Sequence, residues 1–124
     1  MFINMIWVMV GGGLGSVCRY LLSLLGAKIF GNSFPIGTLS VNLLGCFLIG
    51  LGFSLAERNV LSPTLQLLFM TGFLGGLTTF STYALESAHY IGNGQLYSAL
   101  LNIAANNVPG LVLVFLGLWL GKGD

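Results

Sequence analysis

Thr71-Gly72-Phe73-Leu74-Gly75-Gly76-Leu77-Thr78-Thr79-Phe80-Ser81-Thr82-Tyr83 is the stretch on which the reading of this chain turns. It lies inside a mostly apolar run, residues 65–91, and a helix crossing the hydrocarbon core of a bilayer needs roughly 20 such residues. Adjacent glycines beside two threonines form helix poorly, and the run is longer than one straight crossing requires. The stretch therefore predicts a membrane helix broken within residues 75–79. Main chain unwound at membrane depth persists only where protein buries it or where it lines a cavity. Its freed carbonyls suit a hard cation such as Na⁺; a simple glycine kink is the plainer alternative.

Three further apolar runs flank this one, at residues 2–27, 36–56 and 96–120. The first is interrupted only by Arg19, and the second carries no charge. The segments between them, 28–35, 57–63 and 92–94, hold Gly31, Asn32, Pro35, Arg58, Asn59, Pro63 and Gly92-Asn93-Gly94, the residues of loops and turns. Composition agrees. Only 6% of the 124 residues are charged and 56% are hydrophobic, whereas soluble domains average about 25% charged residues. The expected architecture is one all-α membrane domain, residues 1–124, of four transmembrane helices. No Lys or Arg precedes Arg19, so the first run is expected to be a span and not a cleaved signal peptide. A net charge of +1 gives no basis for binding nucleic acid. Cys18 and Cys46 both fall inside spans and read as small packing residues.

Polar groups inside the spans carry the functional information, because lipid rejects them. Gly11, Gly15 and Arg19 recur every four residues, a close-approach face that turns Arg19 toward protein. Two uses fit it: an electropositive vestibule for an anion, or a structural guanidinium capping a carbonyl. Thr38, Asn42 and Gly45 share one face of the second span. Asn42 offers N–H donors without a formal charge, which suits an anion that must be held and then released; an interhelical hydrogen bond is the structural alternative. Phe80 and Tyr83 are three apart, beside the hydroxyls of Ser81 and Thr82. Aromatic ring edges carry partial positive charge, and a channel needs binding strong enough for entry and weak enough for exit. Glu86 extends the stripe Thr79, Tyr83, Glu86 and Tyr90, placing it at a vestibule mouth or against hydroxyls. His89 has no ligand partner at useful spacing and reads as interfacial. Asn102, Asn106 and Asn107 form a polar edge on the last span, ahead of a kink expected at Pro109-Gly110.

Orientation is weakly encoded. Arg58 and Lys122 fall on the side of the N-terminus, and Lys28 falls on the other. Lys and Arg in short loops normally fix which way a chain inserts. With so small a bias, insertion both ways up, and hence an antiparallel dimer, competes evenly with a single orientation.

In order along the chain stand Gly15-x-x-x-Arg19, Gly37-Thr38-Leu39-x-Val41-Asn42 and Gly72-Phe73-x-Gly75-Gly76-Leu77-Thr78-Thr79-Phe80-Ser81-Thr82. This set resembles the Fluc (CrcB) fluoride-channel family over essentially the whole chain. The resemblance implies a dual-topology, antiparallel homodimer in the bacterial inner membrane, passively exporting fluoride through two pores. It implies Asn42 as a pore donor and Phe80 with residue 83 as an aromatic box. It implies a structural, untransported Na⁺ held at the dimer centre by the carbonyls of Gly75 and Thr78 from both subunits, with Arg19 and Glu86 at vestibule positions. Tyr83 departs from the family's usual Phe. Leu111 and Phe115 stand where the family usually has Ser and Thr, which brings in a homologous second subunit as another partner.

Two other classes fit less well. A small multidrug-resistance-type exporter would exchange protons on a carboxylate in the first span, where this chain has Arg19. An enzyme is not expected either: the carboxylates are Glu57, Glu86 and Asp124, and no nucleophile–base pair or metal-ligand cluster accompanies them.

Overall fold

The computed structural model describes residues 1–123, and all regular structure among them is helical. The elements are α1 (Phe2–Phe30), α2 (Ile36–Glu57), a third helical segment in pieces, and α6 (Leu96–Gly121). The third segment begins as α3 (Pro63–Leu65), widens into a π-helical run (Gln66–Leu74), closes with α4 (Gly75–Leu77) and resumes as α5 (Phe80–Gly92). α1, α2 and α6 are each long and apolar enough to cross a membrane. The third segment has no single piece of that length, because Thr78 and Thr79 interrupt it.

α1 extends to Phe30, into what the sequence assigned to loop. Gly31 at φ +77° ends it there, its N–H bonding Ala27 O at 2.9 Å, and Lys28 sits favourably in the last turn. Pro109 lies within α6 and does not end it.

Glycines set the packing. A Cβ on Gly15 would lie 2.9 Å from Leu77 N, so α1 rests backbone to backbone on the segment before the break. A Cβ on Gly117 would lie 2.7 Å from Leu51 N, so α6 lies equally close on α2. Two polar ties fasten that second pair: Ser54 Oγ donates to Leu118 O at 2.7 Å and Arg58 Nη1 to Gly121 O at 3.0 Å. The buried apolar core is small, formed by Val41, Leu74 and Leu77. Large apolar side chains instead project outward, among them Leu14, Phe115 and Trp119. That distribution suits hydrocarbon as the surrounding solvent, since lipid leaves no reason to hide them. α2 stands between α1 and α6 and touches both, which brings its polar face onto the break.

Candidate pore-lining site at the helix break

Thr78 (φ −88°, ψ 156°) and Thr79 (φ −150°, ψ 116°) are extended, so the helical ladder stops at Leu77 and restarts at Phe80. Each freed backbone group raises the question of its new partner. Leu74 O accepts from Thr78 N at 3.1 Å and from Thr78 Oγ1 at 3.0 Å. Gly76 O accepts from Arg19 Nε at 2.9 Å. Thr79 N donates to Asn42 Oδ1 at 2.8 Å, and Asn42 Nδ2 donates back to Thr79 O at 3.2 Å. Thr79 also caps α5: its Oγ1 accepts from Thr82 N at 3.2 Å. Among the described residues, the Gly75 and Thr78 carbonyls gain no donor from a turn, a cap or a side chain. The break is thus held from two sides, by α1 through Arg19 and by α2 through Asn42, and the Leu77 carbonyl is left over with those of Gly75 and Thr78.

Beside the break lies a cavity of about 370 Å³ lined by Asn42, Gly75, Thr78, Thr79, Phe80, Tyr83, Asn106 and Asn107. The Phe80 and Tyr83 rings meet edge to face, centroids 5.4 Å apart at 65°. Phe80 is 78% exposed and forms a free wall of this cavity. Tyr83 Oη accepts from Asn107 Nδ2 at 3.1 Å, tying α5 to α6. Ser81 Oγ lies 3.4 Å from Thr79 Oγ1, which donates to Thr82 Oγ1 at 3.1 Å. The methyl group of Thr78 packs onto Gly45, where no larger residue fits. Ile49, Met70 and Leu74 complete a largely apolar lining, and the space carries no formal charge of its own.

A second cavity, about 340 Å³, opens at the α1–α2 loop and is lined by Ser23, Asn32, Thr38, Glu86, His89 and Tyr90 among others. Thr38 Oγ1 donates to Glu86 Oε2 at 2.7 Å, while Glu86 Oε1 is buried without a partner. Tyr90 Oη donates to Ser33 O at 2.9 Å, and exposed His89 pairs with Asn93 at 3.0 Å. Arg19 lines neither cavity. Glu86 and Arg19 thus lie apart, one at a mouth and one on the break.

The family model described as CrcB-like protein, Camphor Resistance (CrcB), matches residues 6–118. The chain belongs to the CrcB family. It is 44% identical over 118 residues to a fluoride-specific ion channel FluC of Maridesulfovibrio salexigens, covering 94% of each chain. It is 45% identical over 114 residues to that of Shewanella halifaxensis, covering 92% of each. It is 44% identical over 115 residues to that of Salinibacter ruber, covering 93% of this chain and 86% of the relative. The CrcB match spans all four helical segments, so the break and both cavities fall inside it. The family is not one of enzymes, in keeping with the expectation from the sequence.

Three of the five residues expected along the pore line the cavity at the break. Asn42, Phe80 and Tyr83 come together in one cavity, whereas Ser81 and Thr82 do not line it and bond to Thr79 instead. Both N–H donors of Asn42 are engaged by protein acceptors, Thr79 O and Asn106 Oδ1. Asn106 and Asn107, legible only as a polar edge, prove to line the same cavity. The signal for them was their spacing from Asn102; the missing information was which face α6 turns to α2.

Proposed function

We propose that this chain forms a fluoride-selective channel that lets cytoplasmic fluoride leave a bacterium down its gradient across the plasma membrane. One observation carries the reading. Asn42, the Thr79 backbone and the Phe80–Tyr83 edge pair line a single uncharged cavity at the depth where the third segment unwinds. Such a lining carries no cation to trap a small hard anion, and Asn42 would release an N–H from Thr79 O or Asn106 Oδ1 to meet it, with the aromatic ring edges assisting. The relatives' shared name as fluoride-specific channels supports the same substrate.

The channel is proposed to be a dimer of two chains inserted in opposite orientations. The exposed ring of Phe80, the exposed Gly75 and the apolar outer face of α6 leave one wall of the cavity to a second copy. Weak charge asymmetry between the loops permits the inverted copy. The Gly75 and Thr78 carbonyls, freed by the break and lacking donors, fit a Na⁺ site completed by the same pair from the partner. Na⁺ favours such hard oxygen ligands and would hold the two breaks together without moving through the pore. A proton-coupled drug exporter is not favoured, because α1 carries Arg19 and no carboxylate.

The test uses this chain alone, purified and reconstituted into liposomes loaded with fluoride or with chloride. The expected result is rapid fluoride efflux, read by a fluoride electrode, with chloride retained. Equal leakage of both, or of neither, overturns the reading.

A further inference from the structure

Asn42 does not hold its orientation alone. Its Nδ2 donates to Asn106 Oδ1 at 3.0 Å; Asn106 Nδ2 donates to Asn102 O at 2.9 Å and Asn102 Oδ1 at 3.1 Å; Asn102 Nδ2 donates to Ser87 Oγ at 3.1 Å. Asn102 is fully buried, at 0% exposure, and Ser87 is buried beside it. The three amides run head to tail, each carbonyl facing the previous amide's N–H. Ser87 belongs to α5 and Thr79 is its N-cap in the break, so the chain of bonds leaves α5, crosses α6 and α2, and returns to the start of α5 at Thr79.

Such a circuit has one sense only. Thr79 N–H requires the Asn42 carbonyl, which fixes the Asn42 amide group toward Asn106. Asn106 must then present its own carbonyl to Asn42 and its N–H groups to Asn102. Turning over Asn42 or Asn106 would set donor against donor at one contact and acceptor against acceptor at another, while turning over Asn102 would set its N–H groups against those of Asn106, the Ser87 hydroxyl adapting at the far end. In a buried setting those mismatches are costly.

We propose that Asn106 is a positioning residue: it locks the Asn42 amide in the orientation that clamps Thr79, and so fixes where α5, and with it Phe80, begins. Asn106 acts through Asn42 and not by binding the ion. The functional half of this inference rests on the reading that Asn42 and Phe80 line the path of fluoride.

The test combines flux with a local probe of the clamp. The full chain is labelled with ¹⁵N-threonine in nanodiscs, and exchange of the Thr79 amide with solvent deuterium is followed by NMR. Asn106→Ser is too short to reach Asn42, and Asn106→Leu has no acceptor. Each is expected to speed Thr79 exchange by roughly fivefold, the factor one such hydrogen bond is worth, and to slow fluoride efflux by at least about as much. Asn106→Asp keeps the acceptor for Asn42 but turns its second oxygen toward Asn102 O and Oδ1, so Thr79 exchange is expected to fall between native and Asn106→Leu, whatever the added charge does to flux. Native exchange in Asn106→Ser overturns the proposal. So does equal acceleration in all three variants, which signals general loosening, and so does loss of folded protein in both Asn106→Leu and Asn106→Ser, which assigns Asn106 to folding alone. If the native chain moves no fluoride, the proposed function fails, while Thr79 exchange still decides whether Asn106 sets the clamp.

Discussion

Replacing Asn42 with Asp changes one atom's chemistry and little shape, and the surrounding hydrogen bonds determine the consequences. The carboxylate keeps an oxygen for Thr79 N–H, now met by Asn42 Oδ1 at 2.8 Å. Its second oxygen replaces Nδ2 and faces Thr79 O at 3.2 Å and Asn106 Oδ1 at 3.0 Å, acceptor against acceptor. Two hydrogen bonds of about 1 kcal/mol each are lost, and acceptors left without donors cost about 1–3 kcal/mol more. The larger effect falls on the ion. A fluoride about 4 Å from the new charge is repelled by about 4 kcal/mol at an effective dielectric constant near 20, close to a thousandfold in occupancy. Asn42→Asp is therefore expected to slow fluoride efflux from proteoliposomes by about three orders of magnitude, while Asn42→Ser, which adds no charge, slows it far less. Gel filtration in detergent checks that the Asp variant is still folded. Fluoride efflux within about tenfold of native from folded Asn42→Asp would refute the placement of Asn42 in the path.

Phe80→Ile removes the ring edge but little packing, since Phe80 is 78% exposed in the single chain; fluoride efflux is expected to fall by about tenfold with the elution volume unchanged, a loss in line with one or two such edge contacts. Tyr83→Phe breaks the Asn107 Nδ2 to Tyr83 Oη bond at 3.1 Å; being partly exposed, it is expected to change thermal stability by no more than about 1 kcal/mol, so a clear change in fluoride flux assigns the hydroxyl to the ion. Gly117→Val pushes α6 off α2, where even a Cβ would sit 2.7 Å from Leu51 N; a loss of about 3 kcal/mol or more is expected, read as aggregation during detergent extraction. Exchanging Na⁺ for a large organic cation throughout purification is expected to abolish flux if the Gly75 and Thr78 carbonyls hold the ion, and re-adding Na⁺ is expected to restore it.

The break shows how much of the site was readable beforehand. Gly75-Gly76 beside Thr78-Thr79 announces poor helix inside a membrane run, and Thr78 and Thr79 are the residues that unwind. The π-helical run of Gln66–Leu74 had no such signal: Thr71 and Gly72 weaken an α-helix but do not distinguish a widened helix from a kinked one. Arg19 was readable as a cation turned toward protein; that it caps Gly76 O depends on how α1 docks.

By itself, the sequence determined the solvent, the helical segments and the place of the break. Each of these comes from local properties: the cost of charge in lipid, the length of an apolar run, the weakness of glycine and threonine pairs in a helix. Tertiary structure alone decided which groups meet. Asn42 lies 37 residues from Thr79 and 64 from Asn106, and hydrogen bonds between such partners depend on how α2, α5 and α6 are turned about their axes. Glycine contacts many residues away set those rotations, so no local pattern around Asn42 reports them.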